Sequence, residues 1–254
     1  MPDDLSPGAP ARFTGRAESY ALNRPECPDS LLDAALRGLP PEPIVADVGA
    51  GTGLSTARLA VRSAHVHAIE PNPDMRRRLI PGARVTVHPG AAEATGLPAG
   101  SVDAACCVQS FHWFRAAEAL PELHRILRPG GRLVLIWYLR DGQDPFTRAL
   151  SGFVMRKSGG SPAADVTGAE APLRESPLFA LEQALEERHP WRLDADGLVG
   201  WARSASYLPV REGQLEPAVE AGLRALVARW AGPDGRVAVV LRWVAFTARP
   251  LARP

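Results

Sequence analysis

Short apolar runs and amphipathic stretches alternate through the middle of the chain. The run Ile44–Val48 is compact and apolar and predicts a strand. Residues 53–63 follow as a helix, with Leu54, Ala57 and Val61 on the face expected to pack inward. A second strand is predicted over 66–70. A helix over 72–80 comes next, with Asn72 as its N-cap and Pro73 at the first helical position. Residues 84–88 predict a third strand. Residues 101–108 predict a fourth, apolar almost throughout, as in a strand covered on both faces. Leu120, Leu123 and Leu127 give the following helix an apolar stripe, and Pro121 must sit in its first turn or kink it. Pro129-Gly130-Gly131 stops that helix before a fifth strand over 132–139. Strand–helix alternation over about 43–140 implies a parallel sheet with helices on both faces.

The flanks are less regular. A helix over 28–38 ends at Gly38, ahead of Pro40 and Pro41. Beyond the sheet, Pro145–Lys157 predicts a helix, 159–168 a loop, 181–189 a strand, 215–230 a helix and 236–247 a strand. Residues 1–12, rich in Pro, Gly, Asp and Ser, predict a disordered tail. The remainder, 13–254, is expected to be one domain. Its ligand-binding core spans about 28–140, and segments about 13–27 and 141–230 shape a substrate pocket.

Composition narrows the function classes. A chain of 254 residues that is 46% hydrophobic has material for a sizeable core. A net charge of +1 argues against a nucleic-acid or anionic-membrane footprint. Lys157 is the single lysine, so arginine carries the basic charge. Cys27, Cys106 and Cys107 make no disulfide framework, and the adjacent pair lies in an apolar run, which fits a reducing cytoplasm. No signal-peptide pattern and no apolar run of membrane-spanning length is found. No metal-ligand spacing is found either: His65 and His67 share a strand face without a third ligand.

The candidate chemistry begins at Asp47-Val48-Gly49-Ala50-Gly51-Thr52-Gly53, between the first strand and its helix. Open α/β sheets bind ligands there, outside the carboxyl ends of the strands. The glycines read G-x-G-x-G. A dinucleotide fingerprint needs G-x-G-x-x-G, and the sixth position here is Leu54. Asp47 also suits a ligand with a cationic end better than a pyrophosphate. Glu70, at the end of the second strand, is placed to accept hydrogen bonds from two ribose hydroxyls.

The ordered series Asp47 to Gly53, Glu70-Pro71-Asn72, Gly90-Ala91-Ala92-Glu93 with Leu97-Pro98, and Arg125-Ile126-Leu127-Arg128-Pro129-Gly130-Gly131 resembles the class I S-adenosylmethionine (SAM)-dependent methyltransferases. Gln109-Ser110-Phe111-His112-Trp113-Phe114 resembles the "HWF" subgroup that includes trans-aconitate methyltransferase-like proteins. Tyr20-Ala21-Leu22-Asn23-Arg24-Pro25 is similar to that subgroup's lead-in. The motifs cover about residues 13–140.

The resemblance implies a Rossmann-like fold. It has a seven-stranded, mainly parallel sheet of order 3-2-1-4-5-7-6, the last strand antiparallel, and a small helical lid. It further implies SAM as cofactor and S-adenosylhomocysteine as product. Gly49, Ala50, Gly51 and Gly53 would line the methionine part, with Asp47 near its ammonium and Gln109 beside it. Tyr20 and Arg24 would close over its carboxylate. Glu70 would hold the ribose, Pro71 and Met75 would flank the adenine, and Ala92 would offer its backbone N–H. Many relatives carry Asp where this chain has Ala91, and Glu93 is the substitute at hand.

Methyl transfer from a sulfonium is an in-line displacement that depends mainly on proximity and alignment. A base is required only when the acceptor must lose a proton, and His112 is the candidate. His112, Trp113, Phe114, Tyr138 and Tyr207 are the candidate pocket residues, with Trp201 placed by position alone. The expected acceptor is a small molecule methylated on oxygen, a carboxylate or hydroxyl, and the protein a monomer or homodimer. The other readings are methylation of a macromolecule, non-methylating chemistry on the same fold, and an NAD-dependent dehydrogenase, which the glycine spacing disfavours.

Overall fold

The computed structural model describes residues 17–160, 166–205, 207–211 and 214–252, so the tail expected over 1–12 lies outside the described residues. In chain order the strands are β1 (Ile44–Val48), β2 (His65–Ile69), β3 (Val85–His88), β4 (Val102–Val108), β5 (Leu127–Arg140), β6 (Phe179–Leu193), β7 (Val210–Arg211), β8 (Gln214–Leu215) and β9 (Val237–Pro250). The helices are α1 (Ala17–Asn23), α2 (Asp29–Leu36), α3 (Leu54–Ala60), α4 (Pro73–Arg76), α5 (Ala116–Ile126), α6 (Pro145–Lys157), α7 (Ala171–Arg174), α8 (Ala195–Ser204) and α9 (Pro217–Trp230).

Seven strands form one sheet in the order β3-β2-β1-β4-β5-β9-β6, and β7 and β8 form a separate ribbon. Strands β1 to β5 pair in parallel, and β9 runs antiparallel to both β5 and β6. This is the expected order, with β9 as the seventh strand of the sheet.

The inner strands carry apolar residues on both faces because both faces are covered, with Asp47 and Asp103 as buried exceptions. Val45, Val66, Ala104, Cys106, Val134 and Ile136 face one core, shared with Leu31 and Leu32 of α2 and Leu198 and Trp201 of α8. Ala46, Val48, Ala105, Cys107, Leu133 and Leu135 face the other, under Leu120 and Leu123 of α5. Adjacent residues of a strand point to opposite faces, so the neighbours Cys106 and Cys107 end in different cores as free, buried thiols.

Several expectations need correction. Leu54, Ala57 and Val61 are not the inward face of α3: its buried residues are Ser55, Thr56 and Leu59, and Val61 is 76% exposed. The cause lies beneath the helix, where the buried Asp47 carboxylate requires donors and the hydroxyls of Ser55 and Thr56 supply them. The helix expected over 72–80 is a single turn, although Asn72 caps it as anticipated, accepting from the backbone N–H of Asp74 and Met75. Pro121 lies inside α5, not in its first turn. Leu127 and Pro129 to Gly131 belong to β5, whose pairing with β4 shifts register between Val102 and Ala104. Helix α8 was not anticipated.

His65, His67 and His88 are occupied with one another and with the sheet. His67 Nδ1 lies 3.0 Å from His88 Nε2, and His65 Nε2 lies 2.9 Å from Thr86 Oγ1. Among the described residues no group of His, Cys, Asp and Glu is arranged to hold a metal, and no helix is long and apolar enough to cross a membrane.

Candidate functional site

The chain steps outward from β1 to β2 and β3, then returns to lay β4 on the other side of β1. That reversal opens a crevice at the carboxyl ends of β1 and β4, where the two signature segments meet. Gly49, Gly51 and Gly53 adopt φ values of 72°, 60° and 94°, left-handed conformations that favour glycine. Space around them differs. A Cβ on Gly49 would stand 2.6 Å from Ser110 Cβ and 3.2 Å from Phe114 Cζ, whereas one on Gly51 would meet nothing within 4 Å. Ser110 Oγ donates to Val48 O at 2.7 Å and ties the β4 loop to the β1 turn.

Two carboxylates organise the turn. Asp47 is fully buried, and its Oδ2 accepts from Ser55 Oγ at 2.8 Å and Thr56 Oγ1 at 2.6 Å. Its Oδ1 has no partner. Burial raises the Asp47 carboxyl to about 6, against the two hydroxyls that lower it. Glu70 accepts from Gly51 N at 2.9 Å through Oε2 and from Asn72 N at 2.8 Å through Oε1. Burial raises its carboxyl too, and these two amides oppose the shift. Arg76 grips the carbonyls of Glu70 and Pro71, each at 2.9 Å, and Met75 is buried in the turn that follows.

The opposite wall is cationic and aromatic. Arg24 follows α1 and donates to Tyr138 Oη at 2.8 Å and Ser204 O at 2.9 Å, with its guanidinium 4.7 Å from the centre of the Tyr20 ring. No carboxylate pairs with it among the described residues, and its Nε is buried without a partner. Arg140 donates to Tyr207 Oη at 3.2 Å and to Ser151 Oγ at 3.0 Å. Helix α1 is seated by a close approach to α8, where a Cβ on Gly200 would fall 2.1 Å from Asn23 Oδ1. Gly200→Val is therefore expected to lift α1, and Arg24 with it. Overpacking of this kind costs about 1–3 kcal/mol, to be read from urea unfolding.

Between the walls lie the residues after β4. Gln109 has a φ of 58°, rare for a residue with a side chain, and its buried Nε2 has no partner. His112 accepts a hydrogen bond at Nδ1 from Trp137 Nε1 at 3.1 Å, and its ring lies 5.0 Å from that of Trp113. Burial, with the Arg24 charge nearby, lowers His112 to about 4.

The structure thus gathers Tyr20, Arg24, Asp47, Glu70, Gln109, His112, Tyr138 and Tyr207 at one end of the sheet. Two candidates are drawn elsewhere. Trp201 is a core residue at 3% exposure. Glu93 Oε1 accepts from Arg115 N at 2.8 Å at the start of α5, which leaves it less free for the adenine edge than the motif suggests. Ala92 is buried in a hairpin closed by reciprocal bonds between Ala91 and Ala94. Sequence reasoning missed Thr52, Ser55, Thr56, Ser110 and Trp137. Only the hydroxyl-rich run after the glycines carried a signal for any of them.

Comparison with known proteins agrees with this fold. A family model described as a methyltransferase domain matches residues 46–135. An uncharacterized methyltransferase of Mycobacterium tuberculosis is 40% identical over 158 residues, 60% of this chain and 62% of that relative, so the match spans under two thirds of its length. A demethylmenaquinone methyltransferase of Clavibacter sepedonicus is 32% identical over 192 residues, 70% of each chain. Among solved structures, a candidate type II methyltransferase from Anaeromyxobacter dehalogenans superposes with a TM-score of 0.68 at 26% identity, covering 89% of this chain and 97% of that one. A SAM-dependent methyltransferase from Geobacter sulfurreducens in complex with S-adenosyl-L-homocysteine shares the fold at a TM-score of 0.54 and 20% identity, over 95% and 98% of the two chains. With the G-x-G-x-G turn at the sheet's reversal point and relatives of this kind on both sequence and fold, the chain belongs to the class I SAM-dependent methyltransferases.

Proposed function

We propose that this protein transfers a methyl group from SAM to an oxygen atom, a carboxylate or hydroxyl, of a small-molecule acceptor. The observation that carries the cofactor assignment is a set of three buried polar atoms without partners: Asp47 Oδ1, Gln109 Nε2 and Arg24 Nε. Buried polar groups are ordinarily satisfied. Asp47 and Gln109 stand at the carboxyl ends of β1 and β4 and Arg24 on the facing wall, and together they suit a ligand with an ammonium, a carboxylate and a further polar edge. Gly49, Ala50, Gly51 and Gly53 take the methionine portion, Asp47 faces its ammonium, and Tyr20 and Arg24 its carboxylate. Glu70 holds the ribose; Pro71, Met75 and the Ala92 amide bound the adenine.

Bound SAM supplies a methyl group already activated by a cationic sulfur, with a neutral thioether as leaving group. The chain's part is to hold both reactants in line and keep water out. Helices α1 and α8 cover the site, and segments within 141–230 shape the acceptor side, where Trp113, Phe114, Tyr138 and Tyr207 lie. An oxygen acceptor is supported by the likeness of residues 109–114 to the HWF subgroup.

The test is incubation of the purified protein with SAM and a fractionated pool of small metabolites. The expected result is a product heavier by one methyl, formed in step with S-adenosylhomocysteine. SAM that binds without S-adenosylhomocysteine release in any fraction counts for non-methylating chemistry, and displacement of SAM by NAD overturns the cofactor assignment.

Asp47 makes cofactor binding pH-dependent. In the free protein its carboxyl sits at about 6, and a bound ammonium favours the ionised form. The complex then carries fewer protons than the free protein near that pH. SAM affinity is expected to be flat from about pH 6 to about 7, where the ligand's amino group keeps its proton, and to fall by up to about tenfold per unit below that range. Calorimetry in buffers of different ionisation enthalpy should detect proton release near about pH 6 that shrinks toward about pH 7.

A further inference from the structure

We propose that Trp137 is a positioning residue that holds His112 as a neutral imidazole with its proton on Nε2. His112 then presents a hydrogen-bond donor, not a proton-accepting lone pair, to the methyl acceptor. The acceptor's identity rests on the methyl-transfer reading; the tautomer does not.

The argument starts from the indole, which has a donor and no acceptor. Its Nε1 lies 3.1 Å from His112 Nδ1, so Nδ1 must be the unprotonated nitrogen. A neutral imidazole carries one proton, which leaves it on Nε2. Nε2 has no partner among the described residues and is not among the buried atoms sealed from solvent. It is the nitrogen left open.

The indole is well held. Trp137 is 2% exposed, and its ring meets Phe111 and Phe246 edge to face, each at 6.2 Å. Protonating His112 would set two N–H groups against each other, next to the Arg24 cation at the end of α1. That guanidinium is the charged group acting on His112; the Trp113 ring and the Trp137 indole beside it are uncharged. Burial and the Arg24 charge both favour the neutral ring.

The chemical consequence is specific. An ionised acceptor oxygen, such as that of a carboxylate, has no proton to lose; it can take a hydrogen bond from Nε2–H through one lone pair and direct another at the methyl carbon. The new C–O bond forms from the acceptor's own electrons, the S–C pair leaves with sulfur, and no proton passes to His112. The residue orients the acceptor and does not activate it.

The experiment is nitrogen-15 NMR of the imidazole rings in the full chain saturated with S-adenosylhomocysteine, with His112 assigned by its absence in His112→Gln. The expected spectrum shows one neutral tautomer with the proton on Nε2, unchanged from pH 8 to about 5.5. It also shows a scalar coupling across the hydrogen bond from the Trp137 indole to Nδ1. In Trp137→Phe the two tautomers should mix, and the midpoint should rise by about one unit or more toward the ordinary histidine value of about 6.5. An Nδ1-protonated tautomer in the wild type, or a midpoint between about 6 and 7, overturns the proposal. An unchanged tautomer and midpoint in Trp137→Phe removes Trp137 from it. If that variant does not fold, the coupling in the wild type decides. Because no acceptor is needed, failure here is separate from failure of the methyl-transfer reading, which would appear as absent turnover.

Discussion

Gly51→Val is expected to lower SAM affinity at least about a hundredfold, close to 3 kcal/mol of binding free energy, while the chain stays folded. The backbone at Gly51 has a φ of 60°, so any side chain there carries strain of about 1–2 kcal/mol. The protein itself offers no clash, since nothing stands within 4 Å of the added Cβ. The valine therefore projects into open space, which the cofactor reading assigns to the methionine portion. Gly49→Val makes the contrast. Its Cβ would be driven against Ser110 at 2.6 Å, so it should lose stability first and binding as a result. Calorimetric titration with SAM and S-adenosylhomocysteine, beside thermal melts of both variants, separates the two effects. A folded Gly51→Val protein with wild-type affinity would remove the glycine turn from the cofactor site.

Trp243→Ala is expected to cost about 3–5 kcal/mol of folding stability. Trp243 lies in the middle of β9 at 1% exposure, opposite Tyr138 of β5 on one side and Glu187 of β6 on the other. Its ring meets that of Tyr138 edge to face at 5.1 Å. The truncation would leave a large void at the joint between the parallel and antiparallel parts of the sheet and loosen Tyr138, which anchors Arg24. Trp243→Phe should cost far less, about 1 kcal/mol, because the indole N–H it removes is buried without a partner. Urea unfolding of the two variants tests this. A loss below about 1 kcal/mol for Trp243→Ala would mean that the joint is packed more loosely than the structure shows.

The sheet was readable because parallel strands covered on both faces leave uninterrupted apolar runs, as at Ile44–Val48 and Val102–Val108. The glycine turn was readable because its left-handed positions favour glycine, and Glu70 because it ends β2 and accepts from that turn. Helix α3 was misread for a physical reason. Amphipathic reading turns Ser55 and Thr56 outward, yet satisfying a buried carboxylate turns them inward and exposes Val61. Helix α8 carries Gly197 and Gly200, which lower its intrinsic helical preference, and Gly200 sits where α1 approaches closely. The pairing of His112 with Trp137 is written in no local pattern. It depends on the β4–β5 register that sets Val108 beside Ile136, and on a 3₁₀ turn that brings His112 back over the next strand.

The insertion of β9 between β5 and β6 has a consequence for biosynthesis. In the main sheet β6 has β9 as its sole neighbour, along fourteen paired positions, yet 43 residues separate Leu193 from Val237. At roughly 5–20 residues per second, β6 leaves the ribosome several seconds before its partner exists. For that interval a long strand stands with both edges unpaired, a template for pairing with another chain. Its composition suits the wait. Glu182, Glu186, Glu187, Arg188 and Arg192 place charge along it, and most of these positions remain exposed in the finished sheet. The charges that decorate this outer strand thus act first as a guard on the nascent chain, before the ion pairs that Arg192 and Glu186 make with the later residues Asp234 and Arg242 can form.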